Sequence, residues 1–337
     1  MFRIDRQLRP VDAPTPTAEW VREVVKKFVP EHLKERLELE HEIDFALGLE
    51  GVGRFRVNVF QQRGSFVLAM RVMRAAIRSF QELRLPAVMP RICESPRGII
   101  LIAGAPGSGK STTLAAMIEH LNATTQKHVI TLEDPIEFFF EDRQCIIEQR
   151  EIGLDTANFA TGLRNVLRQD PDVLVIGEMR DHESARAALS AANVGTLVIS
   201  TLHTNDAARS IQRILELFPA EEREHARRQI ASTLRAVVCQ RLVRTTDEQA
   251  VPAVEVMINT ASVSKLIETN RMDQLGGAID LGGGDGMQSF DQSLADLLRR
   301  GEIGEAEALA HAPNPDGFRM RLKGVVLQDV KRIIGAR

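Results

Sequence analysis

The spacing of apolar and polar positions changes character along this chain, and each change predicts a different kind of element. From Phe55 to Val72 the period is two. Phe55, Val57 and Val59 alternate with Arg56 and Asn58, Gln61-Gln62-Arg63-Gly64 supplies a turn, and Phe66 to Val72 returns. This predicts a hairpin of an antiparallel sheet with one face in water. From Met73 to Arg97, interrupted by Pro86, Pro90 and Pro96, the pattern predicts a helix followed by a linker, with a domain boundary inside it.

Beyond that boundary short apolar runs alternate with helical stripes. Gly98 to Ala103, His128 to Leu132, Val173 to Gly177 and Thr196 to Thr201 suit buried strands. Leu114, Ile118 and Leu121 recur at helical spacing, as do Phe159, Leu163, Val166 and Leu167, the latter ending before Asp170-Pro171. Such alternation predicts an α/β domain wound on a parallel sheet. Two further helical stripes are expected, one through Ile211, Ile214, Leu215 and Phe218, the other through Ile230, Leu234, Val237 and Val238. Gly282-Gly283-Gly284-Asp285-Gly286 reads as a flexible joint, followed by an amphipathic helix of Phe290, Leu294, Leu297 and Leu298 that Gly301 stops. The expected division is therefore 1–75 as a first domain, 76–97 as a linker, 98–260 as the α/β core, 261–324 as a helical region and 325–337 as a tail.

Composition narrows the class. The chain has 337 residues, 44% of them hydrophobic, enough for two cores. A formal net charge of −3 gives no global attraction to nucleic acid or anionic lipid, so no nucleic-acid partner is expected. Cys93, Cys145 and Cys239 are far apart and form no C-x-x-C pair, which points away from a disulfide framework or zinc site and toward a reducing, cytoplasmic setting. No apolar run approaches the ~18 residues of a membrane span, so any membrane role is expected to come through a partner.

The chemistry is concentrated at one segment. Gly104-Ala105-Pro106-Gly107-Ser108-Gly109-Lys110-Ser111 has the P-loop spacing of glycine, four residues, then glycine, lysine and serine, and Thr112 follows. A strand before it and a helix after it aim backbone N–H groups and the positive end of a helix dipole at one point, which is an anion site. Lys110 is then placed for the β- and γ-phosphates of ATP or GTP, and the Ser111 hydroxyl for Mg²⁺.

Whether the nucleotide is hydrolysed depends on neighbouring acids. Asp172 to Glu178 is an apolar strand ending in a carboxylate, the arrangement that presents an acid to Mg²⁺ and its waters; the alternative is an acid capping the helix that starts near Asp181. Glu133-Asp134-Pro135-Ile136-Glu137 follows the strand His128 to Leu132, and its acids are placed either to activate an attacking water or simply to be solvated. His203 stands at another strand end, where it either senses the γ-phosphate or is a structural histidine. Arg54, Arg56, Arg63 and Arg71 concentrate on the hairpin, as fingers toward phosphate or as a solvated face.

Together these motifs resemble the PilT-like retraction ATPases of type IV pili, within the secretion-ATPase superfamily. The resemblance runs from about Phe2 to Lys323. It rests on Gly51-Val52-Gly53-Arg54-Phe55-Arg56-Val57-Asn58, the P-loop with Thr112 to Ile118, the box Glu133 to Phe138, Arg168 through Asp181, and Thr201-Leu202-His203-Thr204.

The resemblance implies a RecA-like P-loop ATPase domain preceded by a small PAS-like α+β domain, with C-terminal helices, assembled as a homo-hexamer that turns ATP hydrolysis into interdomain rotation. It implies Glu178 as the Walker B acid and, with Ser111, a metal contact, Glu137 as the catalytic base with Glu133 and Asp134 beside it, and His203 as the histidine-box residue. Arg56 and Arg71 match the arginines that approach nucleotide from the first domain. The implied partners are an inner-membrane pilus platform protein and a paralogous retraction ATPase, with the protein cytoplasmic and peripheral to the membrane. A traffic ATPase of a secretion or conjugation system, and a nucleotide-binding scaffold with weakened motor coupling, are the alternatives.

One absence supports the resemblance, and three features depart from the family pattern. No tetracysteine zinc insert is present, which favours the retraction branch over the assembly and type II secretion branches. The histidine box begins Gly195-Thr196-Leu197 where the family has Gly-His-Leu. The family's AIRNLIRE segment stands here as Ser262-Val263-Ser264-Lys265-Leu266-Ile267-Glu268-Thr269, which bears on motor coupling more than on ATP turnover. The family's first helix and strand do not precede Met1, so the first sheet is expected to be incomplete.

Overall fold

The computed structural model describes residues 1–4, 7–73 and 76–323, and they fall into two compact units, 1–75 and 76–337. The tail 325–337 lies outside the described residues.

In the first unit, β1 (Phe2–Ile4) and β2 (Gln7–Arg9) pair only with each other, and helices α1 (Ala18–Phe28) and α2 (Glu31–Glu40) follow. Thr17 caps α1 by accepting from the N–H of Trp20. The expected hairpin is β4 (Gly53–Gln62) and β5 (Ser65–Val72), turning at Arg63 and Gly64, and β3 (Glu42–Leu49) completes a three-stranded antiparallel sheet. Alternation sets the faces. Ile43, Phe45, Val57 and Val59 are buried in one cluster with Val25 of α1, Val29 just after it and Leu37 of α2, while Arg56 lies on the opposite face beside Ala46 and Arg71.

The second unit begins earlier than the expected linker would allow. Among the described residues no helix starts this stretch. Residues 76–88 are coil and turns, and α3 (Met89–Cys93) is its only helix. Phe80, Leu83, Met89, Ile92 and Cys93 are buried in the second unit's core against α4 (Lys110–Thr124), so the prolines shape a packed strap, not a free connection.

The sheet of this unit has seven strands: β6 (Gly98–Ala103), β7 (His128–Glu133), β8 (Ile146–Glu151), β9 (Val173–Ile176), β10 (Leu197–Leu202), β11 (Leu234–Arg244) and β12 (Ala250–Ile258), in the order β12-β11-β6-β10-β9-β7-β8. All pairings are parallel except β11 with β12. Helices α5 (Phe159–Val166), α6 (His182–Val194), α7 (Ala207–Glu216) and α8 (Arg223–Thr233) connect them. Then come α9 (Ala261–Glu268), α10 (Leu275–Leu281), α11 (Phe290–Arg299), α12 (Glu305–His311) and α13 (Pro315–Leu322).

Two readings of the sequence are corrected here. The stripe Ile230, Leu234, Val237 and Val238 is not one helix: α8 stops at Thr233 and Leu234 opens a strand. A run buried on both faces carries no alternation, so period alone cannot separate it from a buried helix. Gly282–Gly286 is not a flexible joint either. Residues 282–285 form a 3₁₀ turn, Gly286 packs against Val88, and Arg91 of α3 donates to the carbonyl of Asp285.

Candidate nucleotide site

The site is built from the C-terminal ends of four adjacent strands, the crevice where open α/β sheets bind ligands. Reading across the sheet, β6 delivers the P-loop, β10 delivers His203, β9 delivers Glu178 and β7 delivers Glu133. This order decides what touches what, because neighbouring strands lie about 4.8 Å apart. His203, from the middle strand, stands between Lys110 and Glu178. Its Nδ1 is 3.3 Å from Lys110 Nζ and its Nε2 is 3.1 Å from Glu178 Oε1. An ammonium only donates, so Nδ1 accepts from Lys110, and the imidazole proton sits on Nε2 and points at Glu178.

Lys110 is buried, and its other donors reach the carbonyls of Gly104 at 2.9 Å and Ala105 at 3.1 Å. Burial lowers its pKa, and the nearby charges of Glu178 and Glu137 oppose that shift. The acidic box therefore lies within electrostatic reach of the P-loop lysine. Gly104 has φ +151°, and a Cβ there would stand 2.4 Å from Ser108 Oγ and 2.5 Å from the Gln240 carbonyl. Gly104→Ala is accordingly expected to be destabilised by about 1–3 kcal/mol from backbone strain alone. A thermal or urea melt measures it, and an unchanged melt would mean that the loop tolerates a side chain.

Glu178 is mostly buried. Burial pushes its carboxyl up, but Arg180 at 2.7 Å and His203 together outweigh it and leave the pKa below the usual value. Asp181 caps α6 through the Ser184 N–H, so Glu178 is not the helix cap. Two contacts hold the ends of β9 and β10 together: Thr201 Oγ1 donates to the Gly177 carbonyl at 2.7 Å, and the Met179 N–H to the Thr201 carbonyl. Gly177 lets β7 approach, since a Cβ there would be 3.1 Å from the Leu132 carbonyl.

The acidic box divides into an inner and an outer glutamate. Glu133 Oε1 accepts from Thr131 Oγ1 at 2.7 Å and from Gln149 Nε2 at 3.2 Å, and desolvation raises its pKa despite both bonds. Glu137 is exposed. The loop between them is pinned from β8, where Glu151 accepts from the Ile136 N–H and Gln149 donates to the Phe138 carbonyl.

Lys110, His203, Glu178 and the acidic box are thus brought together. Arg56 and Arg71 lie in the other unit, where they are cross-strand neighbours on an exposed face and Arg56 is 3.8 Å from Asp44. Thr196 lies at the opposite, N-terminal end of β10, its hydroxyl donating to the Pro171 carbonyl at 3.3 Å. Six strand residues, about 20 Å at the usual rise, separate it from His203. Sequence reasoning missed Arg180, Thr131, Gln149 and Gln240, which holds Thr113 of the P-loop helix at 2.9 Å. Arg180 was visible, two residues beyond Glu178; the others carry no motif.

The P-loop fits phosphate on local grounds. Ser108 Oγ is buried and has no hydrogen-bond partner, and the space around Gly107 is open. The Type II/IV secretion system protein family matches residues 1–275. The chain belongs to this family. It is 39% identical to the type IV pilus retraction ATPase PilT of Pseudomonas aeruginosa, over 94% of this chain and 92% of that one. It is 40% identical to a twitching motility protein of Neisseria gonorrhoeae, over 94% of this chain and 85% of that one. A crystal structure of the pilus retraction motor PilT with bound ADP superposes with a TM-score of 0.88 at 39% identity, covering 93% and 90% of the two chains. The expected frame holds: a RecA-like ATPase domain, preceded by a small PAS-like α+β domain and followed by C-terminal helices, in a PilT-like member of the family.

Proposed function

We propose that this chain is the ATP-hydrolysing subunit of a motor that retracts type IV pili. The observation that carries the reading is the line Lys110–His203–Glu178, which joins the phosphate-binding lysine to the Walker B acid across adjacent strands. In this reading the P-loop amides and Lys110 hold the β- and γ-phosphates, and Glu178 with the Ser111 hydroxyl faces the metal. Mg²⁺, when bound, neutralises developing charge on the phosphates. Glu137, exposed and within the field of Lys110, orients and deprotonates the attacking water. Glu133, tied to Thr131 and Gln149, fixes the box.

His203 responds to what Lys110 does. A lysine drawn toward a γ-phosphate leaves Nδ1 free, and the loop after His203 is then released or re-formed with nucleotide state. Steady-state phosphate release with Mg-ATP tests the enzymatic half of this reading. Restoration of twitching in a strain lacking its retraction ATPase tests the motor half; activity without restoration would favour an accessory or traffic ATPase. Among the described residues no helix is long and apolar enough to cross a membrane, so coupling to a pilus platform in the inner membrane falls to protein contacts.

The working assembly in this proposal is a homo-hexamer whose sites are completed between subunits by Arg56 and Arg71. Such fingers contribute about 10³–10⁵ in rate where they act on the transition state. Each Arg→Ala variant is expected to lose at least about tenfold in rate while keeping its fold and assembly by light scattering. Mixing an arginine variant with Lys110→Ala is expected to recover activity, because some interfaces then pair an intact arginine with an intact lysine. Arginine variants that turn over like the wild type would leave this face merely solvated.

A further inference from the structure

Arg241 is half-buried near the C-terminal end of β11, on the sheet face opposite its neighbour Gln240. Gln240 faces the P-loop helix through Thr113, and Arg241 faces the C-terminal helices. Its Nη1 donates to the carbonyl of His311, the last residue of α12, at 2.6 Å. Its Nη2 donates to the carbonyl of Asn205, two residues after His203, at 3.3 Å. The guanidinium lies 4.1 Å from the centroid of the Phe290 ring, at the start of α11. Glu255 and Asp291 lie close enough to feel its charge. One planar cation thus bonds a loop of the nucleotide site and a C-terminal helix while resting on another, a three-way contact that suits the fixed fork of arginine.

The loop it reaches is otherwise held from its far end. Glu255 Oε1 accepts from the N–H of Ala207 at 2.9 Å, and Thr204 Oγ1 lies 2.6 Å from Ser210 Oγ. Asn205 itself is exposed. Between His203 and the anchored start of α7, the Asn205 carbonyl is where the loop meets the C-terminal region.

We propose that Arg241 is a positioning residue for ATP turnover, clamping the loop that carries His203 onto α11 and α12. Its bonds go to His311 and Asn205 and not to Lys110, and it acts through the placement of His203. A movement of the C-terminal helices is thereby felt at His203, and a movement of His203 is felt by those helices. This rests on the ATPase reading above.

Arg241→Met keeps the apolar stem on Phe290 and removes every donor, and Arg241→Lys keeps the charge but places all donors on one nitrogen. Hydrogen–deuterium exchange of the protein without added nucleotide reads the clamp, and steady-state kinetics reads its consequence. In Arg241→Met the amides of residues 204–207 are expected to exchange about tenfold faster, the effect of losing a charge-assisted hydrogen bond. The expected change in kcat is a loss of at least about tenfold from misplacement of His203, with KM for ATP held within about threefold. Arg241→Lys is expected to recover only part of both effects. Wild-type exchange and kcat in Arg241→Met, full rescue by lysine, or a loss carried wholly by KM would each overturn the proposal. Should Arg241→Met not fold, Arg241→Lys decides: wild-type exchange and kcat there overturn it. If the wild-type protein does not hydrolyse ATP, the enzymatic reading fails while the exchange comparison still tests the clamp.

Discussion

Lys110→Ala is expected to reduce ATP turnover by at least about 10²–10³-fold, the loss seen when one preorganised donor to developing charge is removed. The reasons are local. Lys110 is the only lysine or arginine in the segment Gly104 to Thr112, and it is buried there, so no neighbouring cation of the loop substitutes for it. The substitution also leaves the Gly104 carbonyl and the Nδ1 of His203 without this donor, while the Ala105 carbonyl keeps the Ser108 N–H. That adds a structural cost of about 1–3 kcal/mol for the buried Gly104 carbonyl. Phosphate release at saturating Mg-ATP measures the rate, and fluorescent-nucleotide titration measures binding. Retention of half the wild-type rate would remove the P-loop from the mechanism.

The site was legible in the sequence to the extent that its residues stand at strand ends. The P-loop has a spacing, and Glu178 and His203 each follow an apolar run that became β9 or β10. That His203 lies between Lys110 and Glu178 was not legible, because it depends on β10 inserting between β6 and β9, and strand order is not written in local pattern. The same limit hid β12 and the strand character of Leu234 to Val238, whose burial on both faces erases alternation. The prolines between 86 and 96 suggest a linker, but three of the residues around them, Met89, Ile92 and Cys93, pack under the P-loop helix. Thr196 occupies a histidine position of the family pattern, yet its bond to the Pro171 carbonyl is made at the N-terminal end of β10, the end remote from His203. A signal from Thr196 to the nucleotide must pass along the strand.

Glu137→Gln is expected to lower kcat by about 10²–10⁴-fold, the usual contribution of a general base, with nucleotide affinity and melting temperature near the wild type because the side chain is exposed. Glu178→Gln should also nearly stop hydrolysis, and for a second reason. It removes the charge that Arg180 and His203 share and leaves one acceptor oxygen for two donors, so one of those side chains loses the partner that orients it. Glu133→Gln is the decisive contrast. Thr131 and Gln149 both donate to one oxygen of Glu133, and a glutamine amide retains that oxygen, so those two bonds survive the substitution. Turnover close to wild type in Glu133→Gln beside a dead Glu137→Gln places the base at the outer glutamate. The reverse pattern would move it to Glu133, whose raised pKa would then be the feature that suits it to take a proton. Steady-state ATPase rates for the three variants, each with a nucleotide titration and a thermal melt, separate these outcomes, since only a loss of kcat without loss of binding or fold counts as loss of the base.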